Sequence, residues 1–373
     1  MEQRTYRSIC TPFFRIFAGK EDRMGGNYGP RHKYDRSTLL KMIREEPFDR
    51  VEFSFYRYTE LSHPDCLKEE LYEEWSRLGV LGRVYLSREG INAQVSVPEP
   101  EKDRFKTVLD QRPAFQNMAL RPAIEHRNDA FLKLRIKVRP KLVADGIPEG
   151  SLDLEQGPGH LSPEEFHRAM EEKDSIVVDM RNHYESEVGR FKGALTPESE
   201  TFREELPQVH RALKGQEDKR ILLYCTGGIR CEKAGAYLRQ QGFKKVEQLE
   251  GGIIEYARRM KEIDEIPKFY GKNFVFDERL GERVTDDVIA RCHQCGKACD
   301  RQVNCRYEGC NLLFIQCEDC ERKWEHCCSP ECKEMTHLSP EERREHRKGQ
   351  NPKRRFNKGK RGRNELAERV GRS

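Results

Sequence analysis

The sequence contains 373 residues, 36% of them charged, with a mean hydropathy of −0.90 and a formal net charge of +5. This length predicts two or three domains, and no apolar run approaches the length that a membrane-spanning helix needs. Because Arg15 interrupts the short apolar stretch near the N-terminus, we expect no secretory leader and a cytoplasmic location.

The excess of positive charge is concentrated near the C-terminus. Glu341–Ser373 contains 13 Lys and Arg residues against 5 Asp and Glu, a net charge of +8, so the rest of the chain carries about −3. Because the segment has few apolar residues, we expect a disordered basic tail over 341–373. Such tails bind nucleic acid through phosphate contacts, here with Lys353, Arg354 and Arg355 as candidates, although a purely solubilising tail has the same composition.

The N-terminal third of the chain predicts a small α+β domain. Residues 1–36 show no clear periodicity and are expected to form a flexible extension. From residue 37 to residue 145 the pattern predicts strand, helix, strand, strand, helix and strand, the order of a ferredoxin-like fold. The six predicted elements are Glu52–Tyr58, Pro64–Leu78, Leu81–Leu86, Ile91–Val97, Pro100–Leu109 and Phe131–Val138.

Basic side chains occur on two strands of this predicted domain. Arg57 lies on the first strand, and Lys133, Arg135 and Lys137 alternate along the last. With neighbouring tyrosines they can stack on bases and contact phosphates, which makes the sheet a candidate RNA-binding face. The same alternation is equally expected of the exposed face of a half-buried strand, and no RNA-recognition-motif aromatic signature is visible.

An α/β region follows. Residues 146–163 are rich in Gly, Pro and acidic residues and are expected to form a linker. Ser162 is a candidate N-cap for a helix that begins at Pro163. Strand and helix patterns then alternate to about Met260, which predicts a parallel sheet with helices on both faces over residues 164–265.

The chemically most informative stretch of this region is a strand, a tight loop and a helix start. The apolar run Ile221–Tyr224 ends at Cys225, Gly227 and Gly228 follow, and helix-favouring residues begin at Arg230. A loop that enters a helix N-terminus directs several backbone N–H groups at one point, and glycines allow a close approach. Cys225 is therefore predicted to be a thiolate, with Arg230 adding a fixed positive charge. The alternative is a buried cysteine at a strand end, with glycines that merely form a turn.

The size of the loop separates two kinds of cysteine chemistry. Cysteine-dependent phosphatases have five residues between their cysteine and arginine, enough to hold a phosphate. Here only Thr226–Ile229, four residues, lie between Cys225 and Arg230. The smaller ring resembles the active loop of rhodanese domains, in which the cysteine carries a persulfide.

Two flanking stretches extend the rhodanese resemblance. Val177–Ala194 is similar to the first rhodanese signature, with Asp179 and Arg181 at matching positions, and Val246–Tyr256 is similar to the strand, glycine pair and helix that follow the loop. Because strands of a parallel sheet end at one edge, Asp179 and Arg181 are expected to brace the active loop. Cys231, directly after the loop arginine, is either a resolving thiol or a buried helix residue.

Ten of the fourteen cysteines are clustered near the C-terminus. In a cytosolic chain this density favours metal binding over disulfides. Two C-x-x-C pairs with further thiols have the spacing of tetrahedral zinc sites, and eight thiols can fill two closed structural sites in a Cys-rich domain over 266–340. The spacing leaves the partition open, and a cluster of free thiols is the alternative. The ten cysteines are Cys292, Cys295, Cys299, Cys305, Cys310, Cys317, Cys320, Cys327, Cys328 and Cys332.

Stretches from different parts of the chain are similar to one family. They are Tyr85–Pro98, Tyr224–Ala234, Gly271–Asp287 and the CHQCG start of the Cys-rich block. Together they resemble the bacterial tRNA uridine hydroxylases that carry a rhodanese domain, over about Val51 to Arg363. The resemblance implies an oxidoreductase that uses molecular oxygen to convert the wobble uridine, in the anticodon loop of tRNA, to 5-hydroxyuridine. It also implies that Cys225 is the active-site cysteine and cycles through a persulfide or another oxidised sulfur state.

Two other classes of function fit parts of the same pattern. A sulfurtransferase would move sulfane sulfur from Cys225 to a thiol or to RNA, and a non-catalytic RNA-binding adaptor would use the rhodanese fold as a scaffold. We find no flavin or nicotinamide fingerprint. Histidine-x-carboxylate pairs begin at His63 and His183, but no third ligand is identifiable, so an iron site is not expected.

Overall fold

The computed structural model describes residues 33–348. These residues form two compact units. The first comprises the described chain up to Leu120 together with His126–Leu142, and the second comprises Arg121–Glu125 and the described chain from Val143 onward. No helix within residues 33–348 combines the length and the apolar character needed to cross a membrane.

Helices and strands occur throughout both units. The helices are α1 (Arg36–Arg44), α2 (Pro64–Arg77), α3 (Lys102–Asp110), α4 (Pro163–Ala169), α5 (His183–Ser186), α6 (Phe202–Leu213), α7 (Ile229–Gln240), α8 (Gly252–Glu262), α9 (Glu318–Trp324), α10 (Pro330–His337) and α11 (Pro340–Arg347). The strands are β1 (Arg50–Tyr58), β2 (Leu81–Ser87), β3 (Gly90–Pro98), β4 (Arg121–Pro122), β5 (Leu134–Val138), β6 (Gly159–Leu161), β7 (Ser175–Asp179), β8 (Gly189–Phe191), β9 (Arg220–Tyr224), β10 (Lys245–Leu249), β11 (Phe269–Asn273), β12 (Glu282–Arg283), β13 (Gln302–Asn304) and β14 (Leu313–Ile315).

The first unit is a sheet with α2 and α3 packed on one face. Strand β3 pairs antiparallel with both β1 and β2, and β5 runs parallel to β2 at the edge. Alternation along β1 directs Phe55 into the core, where it meets Trp75 of α2 and Phe105 of α3. The ring centroids of Trp75 and Phe105 are 5.1 Å apart in an edge-to-face arrangement, a favourable geometry for buried aromatic rings.

The α+β prediction for this unit is confirmed. All six predicted elements are present, and their boundaries agree within a few residues. Helix α1 is an additional element, capped by the Asp35 carboxylate, which accepts a hydrogen bond from the N–H of Thr38 at 2.8 Å. The last predicted strand is β5, and the structure adds that it lies beside β2 rather than beside β1.

The second unit contains a parallel four-stranded sheet in the order β6, β10, β9, β7. Separate apolar clusters cover its two faces, as the prediction of helices on both sides requires. Strand β6 is a correction, because residues 159–161 fall inside the segment expected to be a linker. The predicted cap is confirmed: the Ser162 hydroxyl accepts from the N–H of Glu165, whose carboxylate accepts from the N–H of Ser162.

A small three-stranded sheet, in the order β12, β11, β8, connects the parallel sheet to the Cys-rich part of the same unit. Gly189 is required there, since a Cβ atom at this position would lie 2.1 Å from the carbonyl oxygen of Lys272. Beyond it, Tyr184 and Val188 pack with Phe274 and Ile315 in one apolar cluster. The helix carrying the first signature and the Cys-rich part therefore share a core.

Candidate active site and metal clusters

The Cys225 loop has the predicted conformation of strand, tight loop and helix start. Strand β9 ends at Tyr224, and helix α7 begins at Ile229 after Gly228, whose φ of 108° is a left-handed conformation that favours glycine. The backbone N–H of Gly228 donates to Cys225 Sγ at 3.1 Å. Cys225 is only 1% exposed, so its sulfur lies inside a cradle of backbone N–H groups.

The start of helix α8 supports this loop from behind. The N–H of Ile253 donates to the carbonyl oxygen of Cys225 at 3.1 Å, and the N–H of Ile254 donates to that of Thr226 at 3.3 Å. A Cβ atom at Gly252 would lie 2.6 Å from both of these carbonyl oxygens. The glycine of the downstream signature therefore allows α8 to dock directly on the active loop.

Arg230 lies beside the loop but is held mainly by a carboxylate. Its guanidinium donates to both oxygens of Glu185, at 2.7 and 2.9 Å, and to the Thr226 hydroxyl at 3.4 Å. Glu185 is fully buried and also accepts from the N–H of Asn182 at 3.1 Å. Arg230 thus acts on Cys225 through its fixed charge, and the bidentate pair fixes where that charge lies.

Cys225 is a thiolate at neutral pH. Burial alone would raise the pKa of its thiol, but a hydrogen bond from Cys231, the positive charge of Arg230 and the N–H groups of Arg230 and Gly228 outweigh it and lower the pKa to about 5. A cysteine with a pKa this low is a reactive nucleophile across the physiological range.

Cys231 has the opposite character. It is fully buried, and burial together with the neighbouring thiolate raises its pKa well above the ordinary value. It therefore stays a thiol and donates to Cys225 Sγ. The contact with Cys225 fits a resolving thiol and the burial fits a buried helix residue, and a substitution that separates the two interpretations is given in the Discussion.

Asp179 and Arg181 form a buried pair at the end of the neighbouring strand. The Arg181 guanidinium donates to the two carboxylate oxygens of Asp179 at 2.8 and 2.7 Å and to the carbonyl oxygen of Gly189 at 2.6 Å. The Tyr224 hydroxyl donates to Asp179 at 2.7 Å. Because Tyr224 immediately precedes Cys225, this network ties β7 to the last residue before the active loop.

Glu205, on the first turn of α6, is a site residue that sequence reasoning missed. It is fully buried, and neither carboxyl oxygen has a hydrogen-bond partner among residues 33–348. Burial raises its pKa well above the ordinary value; the charge of Arg230 opposes the rise, and the negative charges of Asp179, Glu185 and Cys225 add to it. Burial therefore favours the neutral form of the Glu205 carboxyl near the thiolate. The sequence offers no signal for it beyond one acidic residue on the apolar face of an amphipathic helix.

The reactivity of Cys225 toward iodoacetamide tests these charge assignments. The rate is expected to rise with pH through a midpoint near 5, because only the thiolate reacts. The double variant Arg230→Gln, Glu185→Gln removes the positive charge without leaving a buried carboxylate unpaired, and its midpoint is expected to be higher. Glu205→Gln is the matched control, and its midpoint is expected to equal that of the wild type because Glu205 is already neutral. A midpoint for Glu205→Gln well below that of the wild type would show that Glu205 is ionised.

Eight of the ten clustered cysteines form two groups of four. Within each group all four sulfur atoms lie within 4.8 Å of one another. Tetrahedral zinc with four thiolates separates its sulfur atoms by about 3.8 Å, so both groups fit that ion. The first group is Cys292, Cys295, Cys317 and Cys320, and the second is Cys305, Cys310, Cys328 and Cys332. Cys299 and Cys327 belong to neither group.

Buried glutamine amides join the two groups. Gln316 donates to the Gln294 side chain at 2.9 Å, and Gln294 donates to the carbonyl oxygens of Cys327 and Cys328 at 3.0 and 3.1 Å. Backbone N–H groups also point at sulfur: Cys317 donates to Cys292 Sγ at 3.4 Å. These contacts orient the ligand-bearing loops independently of any ion.

The predicted RNA-binding residues have different surroundings. Arg57 donates to three backbone carbonyl groups between residues 114 and 117, which is a structural role. Lys133 donates to the carbonyl oxygen of Tyr34 at 3.1 Å, whereas Arg135 and Lys137 are exposed. The tail candidates Lys353, Arg354 and Arg355 lie outside the described residues.

The two histidine-x-carboxylate pairs do not assemble a metal site. Glu185 pairs with Arg230, and Asp65 lies in the first turn of α2 after His63. Within residues 33–348, the two cysteine groups are the only sets of three or more His, Cys, Asp or Glu side chains close enough to hold an ion.

Comparisons with protein families divide the chain into three parts. Residues 50–142 match the UPF0176 acylphosphatase like domain, residues 162–259 match the rhodanese-like domain, and residues 270–333 match the rhodanase C-terminal family. The first two matches correspond to the α+β unit and to the parallel sheet with its active loop.

Curated relatives match nearly the whole chain. A protein of Leptospira interrogans named tRNA uridine(34) hydroxylase is 50% identical over 333 residues, 89% of this chain and 91% of that protein. A protein of Photorhabdus laumondii with the same name is 48% identical, over 88% of this chain and 94% of that protein. Among solved structures, a rhodanese-like domain from Anabaena is 19% identical with a TM-score of 0.24 and covers 30% of this chain and 78% of that domain.

Proposed function

The chain belongs to the family of tRNA uridine(34) hydroxylases, and from this premise we propose how its own residues act on the substrate. It is an oxidoreductase that hydroxylates the wobble uridine of tRNA, with Cys225 as the reacting group. The observation that carries the proposal is the buried Cys225 thiolate in its cradle of N–H groups. Molecular oxygen is proposed as the co-substrate: one of its atoms enters the product, 5-hydroxyuridine, and the other is reduced to water by two electrons from a thiol reductant.

Each neighbour of Cys225 has a defined task in this proposal. Arg230 and the N–H groups of the loop keep the reactive sulfur anionic, as thiolate or persulfide, in surroundings where burial alone would neutralise it. Glu185 fixes the position of the Arg230 guanidinium. Asp179 and Arg181 are positioning residues that hold the strand end before the loop. Thr226 accepts a hydrogen bond from Arg230 and ties it to the loop backbone.

The base that reacts is unpaired in the substrate. A wobble uridine lies in the single-stranded anticodon loop, so its presentation to a buried sulfur costs less unstacking free energy than extrusion of a base from a duplex. This supports tRNA, recognised at its anticodon loop, as the substrate.

Both cysteine groups are proposed to hold Zn²⁺. A closed set of four thiolates leaves no position open for a substrate or for water, so the ions would stabilise the Cys-rich part and take no part in the chemistry. This part packs against the helix that carries Glu185. Zinc would therefore support the active site through the fold.

Mass spectrometry of tRNA nucleosides tests the function. A bacterial strain that lacks 5-hydroxyuridine-derived nucleosides is expected to regain them when it expresses this chain. Thiolated nucleosides in their place, together with thiosulfate-to-cyanide activity of the purified chain, would favour a sulfurtransferase. Restoration by Cys225→Ala as well as by the wild type would favour a non-catalytic adaptor.

A further inference from the structure

The sheet of the first unit has one face that the helices α2 and α3 do not cover. Along its central strands, Val84 and Ala93 point into the core and are at most 1% exposed. Their neighbours in sequence point to the other side and are half-exposed. Further along the same face Leu81 and Ser96 are buried, Leu81 in a cluster with Ile43 of α1. The accessible part of this face therefore lies around the partly exposed residues.

The strand register aligns the side chains of this second face into rows. Asn92 lies opposite Tyr85, which lies opposite Lys137, and Gln94 lies opposite Arg83, which lies opposite Arg135. These side chains stand on neighbouring strands about 5 Å apart. We call this surface the open face; its residues are Arg83, Tyr85, Asn92, Gln94, Arg135 and Lys137.

The cations of the open face have no carboxylate partner among the residues that the structure describes. Within residues 33–348, several surface Arg and Lys residues of the first unit form ion pairs, for example Arg77 with Glu73. Arg83, Arg135 and Lys137 form none. Like charges kept together without counter-ions of their own favour a polyanion as the ligand.

The remaining side chains distinguish nucleic acid from other polyanions. Tyr85 is an aromatic ring on a central strand, and the guanidinium of Arg139, which follows β5, lies 5.8 Å from its centroid. Asn92 beside it carries an amide that can donate to and accept from the edge of a base. Sheets bind single-stranded RNA with three kinds of side chain. Aromatic rings stack on the bases, amides form hydrogen bonds with base edges, and cations contact the phosphates. An acidic peptide would use the cations but not the ring and the amides.

We propose that the open face is the surface on which the single-stranded anticodon loop of the tRNA substrate docks. The inference rests on the proposed function and specifies the part of the chain that holds the RNA. The open face recognises the loop by stacking and phosphate contacts. It also revises the set of RNA-binding candidates: Arg83, Tyr85, Asn92 and Gln94 are added, while Arg57 is set aside because backbone carbonyl groups already occupy its guanidinium.

The test compares two triple variants of the full chain with equal loss of charge. The open-face variant carries Arg83→Gln, Arg135→Gln and Lys137→Gln. The control variant carries Arg77→Gln, Arg104→Gln and Lys106→Gln, exposed positions on the helices of the opposite face. Affinity for an unmodified tRNA transcript is measured by fluorescence anisotropy across a range of salt concentrations.

The open-face variant is expected to bind tRNA at least about tenfold more weakly, with a log–log salt slope smaller by about 2, since each lost contact to single-stranded RNA contributes about 0.7. The control variant is expected to stay within about twofold of the wild type, because scattered surface charges contribute little. An equal loss of tRNA affinity in the two variants would overturn the proposal. It would mean that the total charge of the protein, and not the position of the cations, determines tRNA affinity.

A single substitution tests the stacking contact separately. Tyr85→Leu is expected to weaken binding of an anticodon stem-loop by about tenfold, whereas Tyr85→Phe, which keeps the ring, is expected to bind as the wild type does. Unchanged binding by Tyr85→Leu, or binding of an acidic peptide that is lost in the same variants, would contradict RNA docking here. If the open-face variant binds tRNA normally while the wild type still hydroxylates it, the docking proposal fails and the function stands.

Discussion

Replacing Cys225 with serine is expected to reduce uridine hydroxylation at least about a thousandfold, because the reacting group of an active site carries most of its rate. A serine hydroxyl is not ionised near neutral pH, so the N–H cradle and Arg230 no longer hold an anion. The substitution is nearly isosteric, and the loop is fixed by α8 through backbone contacts, so the fold is expected to persist. Mass spectrometry measures the hydroxylated nucleosides. Unchanged tRNA affinity and an unchanged circular dichroism spectrum confirm that the variant is folded.

Cys231→Ser is the matched variant, and it separates the two interpretations of Cys231. A serine hydroxyl can still donate a hydrogen bond to Cys225 Sγ but cannot form a disulfide with it. If Cys231 acts as a buried donor, most of the activity is retained. If Cys231 is a resolving thiol, this variant loses turnover as Cys225→Ser does. Full activity in Cys225→Ser itself would contradict the assignment of the reacting group.

The second large effect concerns the cysteine groups. The purified chain is expected to contain two zinc ions, and Cys305→Ser is expected to contain one. Losing a structural metal ligand belongs to the substitutions that cost more than about 4 kcal/mol. In a unit of roughly 200 residues this corresponds to a fall in Tm of about 10 °C. Metal content is measured by atomic emission and Tm by calorimetry.

Cys299→Ser and Cys327→Ser provide the controls, since these two cysteines lie in the same region but outside both groups. Each variant is expected to keep two zinc ions and a near wild-type Tm. Loss of an ion in Cys299→Ser or Cys327→Ser, with retention in Cys305→Ser, would show that the partition of ligands is wrong.

The residues that could be predicted from the sequence are those whose signal is local. Cys225, the glycines and Arg230 lie within six consecutive positions, so loop geometry and thiolate character follow from spacing and helix-terminus physics. The period of two along the strands likewise predicted the α+β unit. Because side chains alternate along a strand, Arg57 lies on the same face of β1 as Phe55, which packs into the core.

What the sequence left undetermined depends on contacts between distant positions. Glu185 and Arg230 are 45 residues apart, and nothing local indicates that they pair. The partition of the cysteines required the fold, because Cys305 meets Cys328 across 23 residues. Strand β6 was missed because three residues among glycines and prolines have no periodicity of their own, and pairing with β10 makes them a strand.

The most direct test of the central claim is an isotope experiment on tRNA in cells. Cells that lack the modification and express either the wild-type chain or Cys225→Ser are grown under oxygen-18 gas, and their tRNA nucleosides are analysed by mass spectrometry. We predict that 5-hydroxyuridine-derived nucleosides carry one heavy oxygen atom in cells with the wild-type chain and are missing with Cys225→Ser. Product without label in wild-type cells, or labelled product with Cys225→Ser, would contradict oxygen-dependent hydroxylation at the Cys225 thiolate.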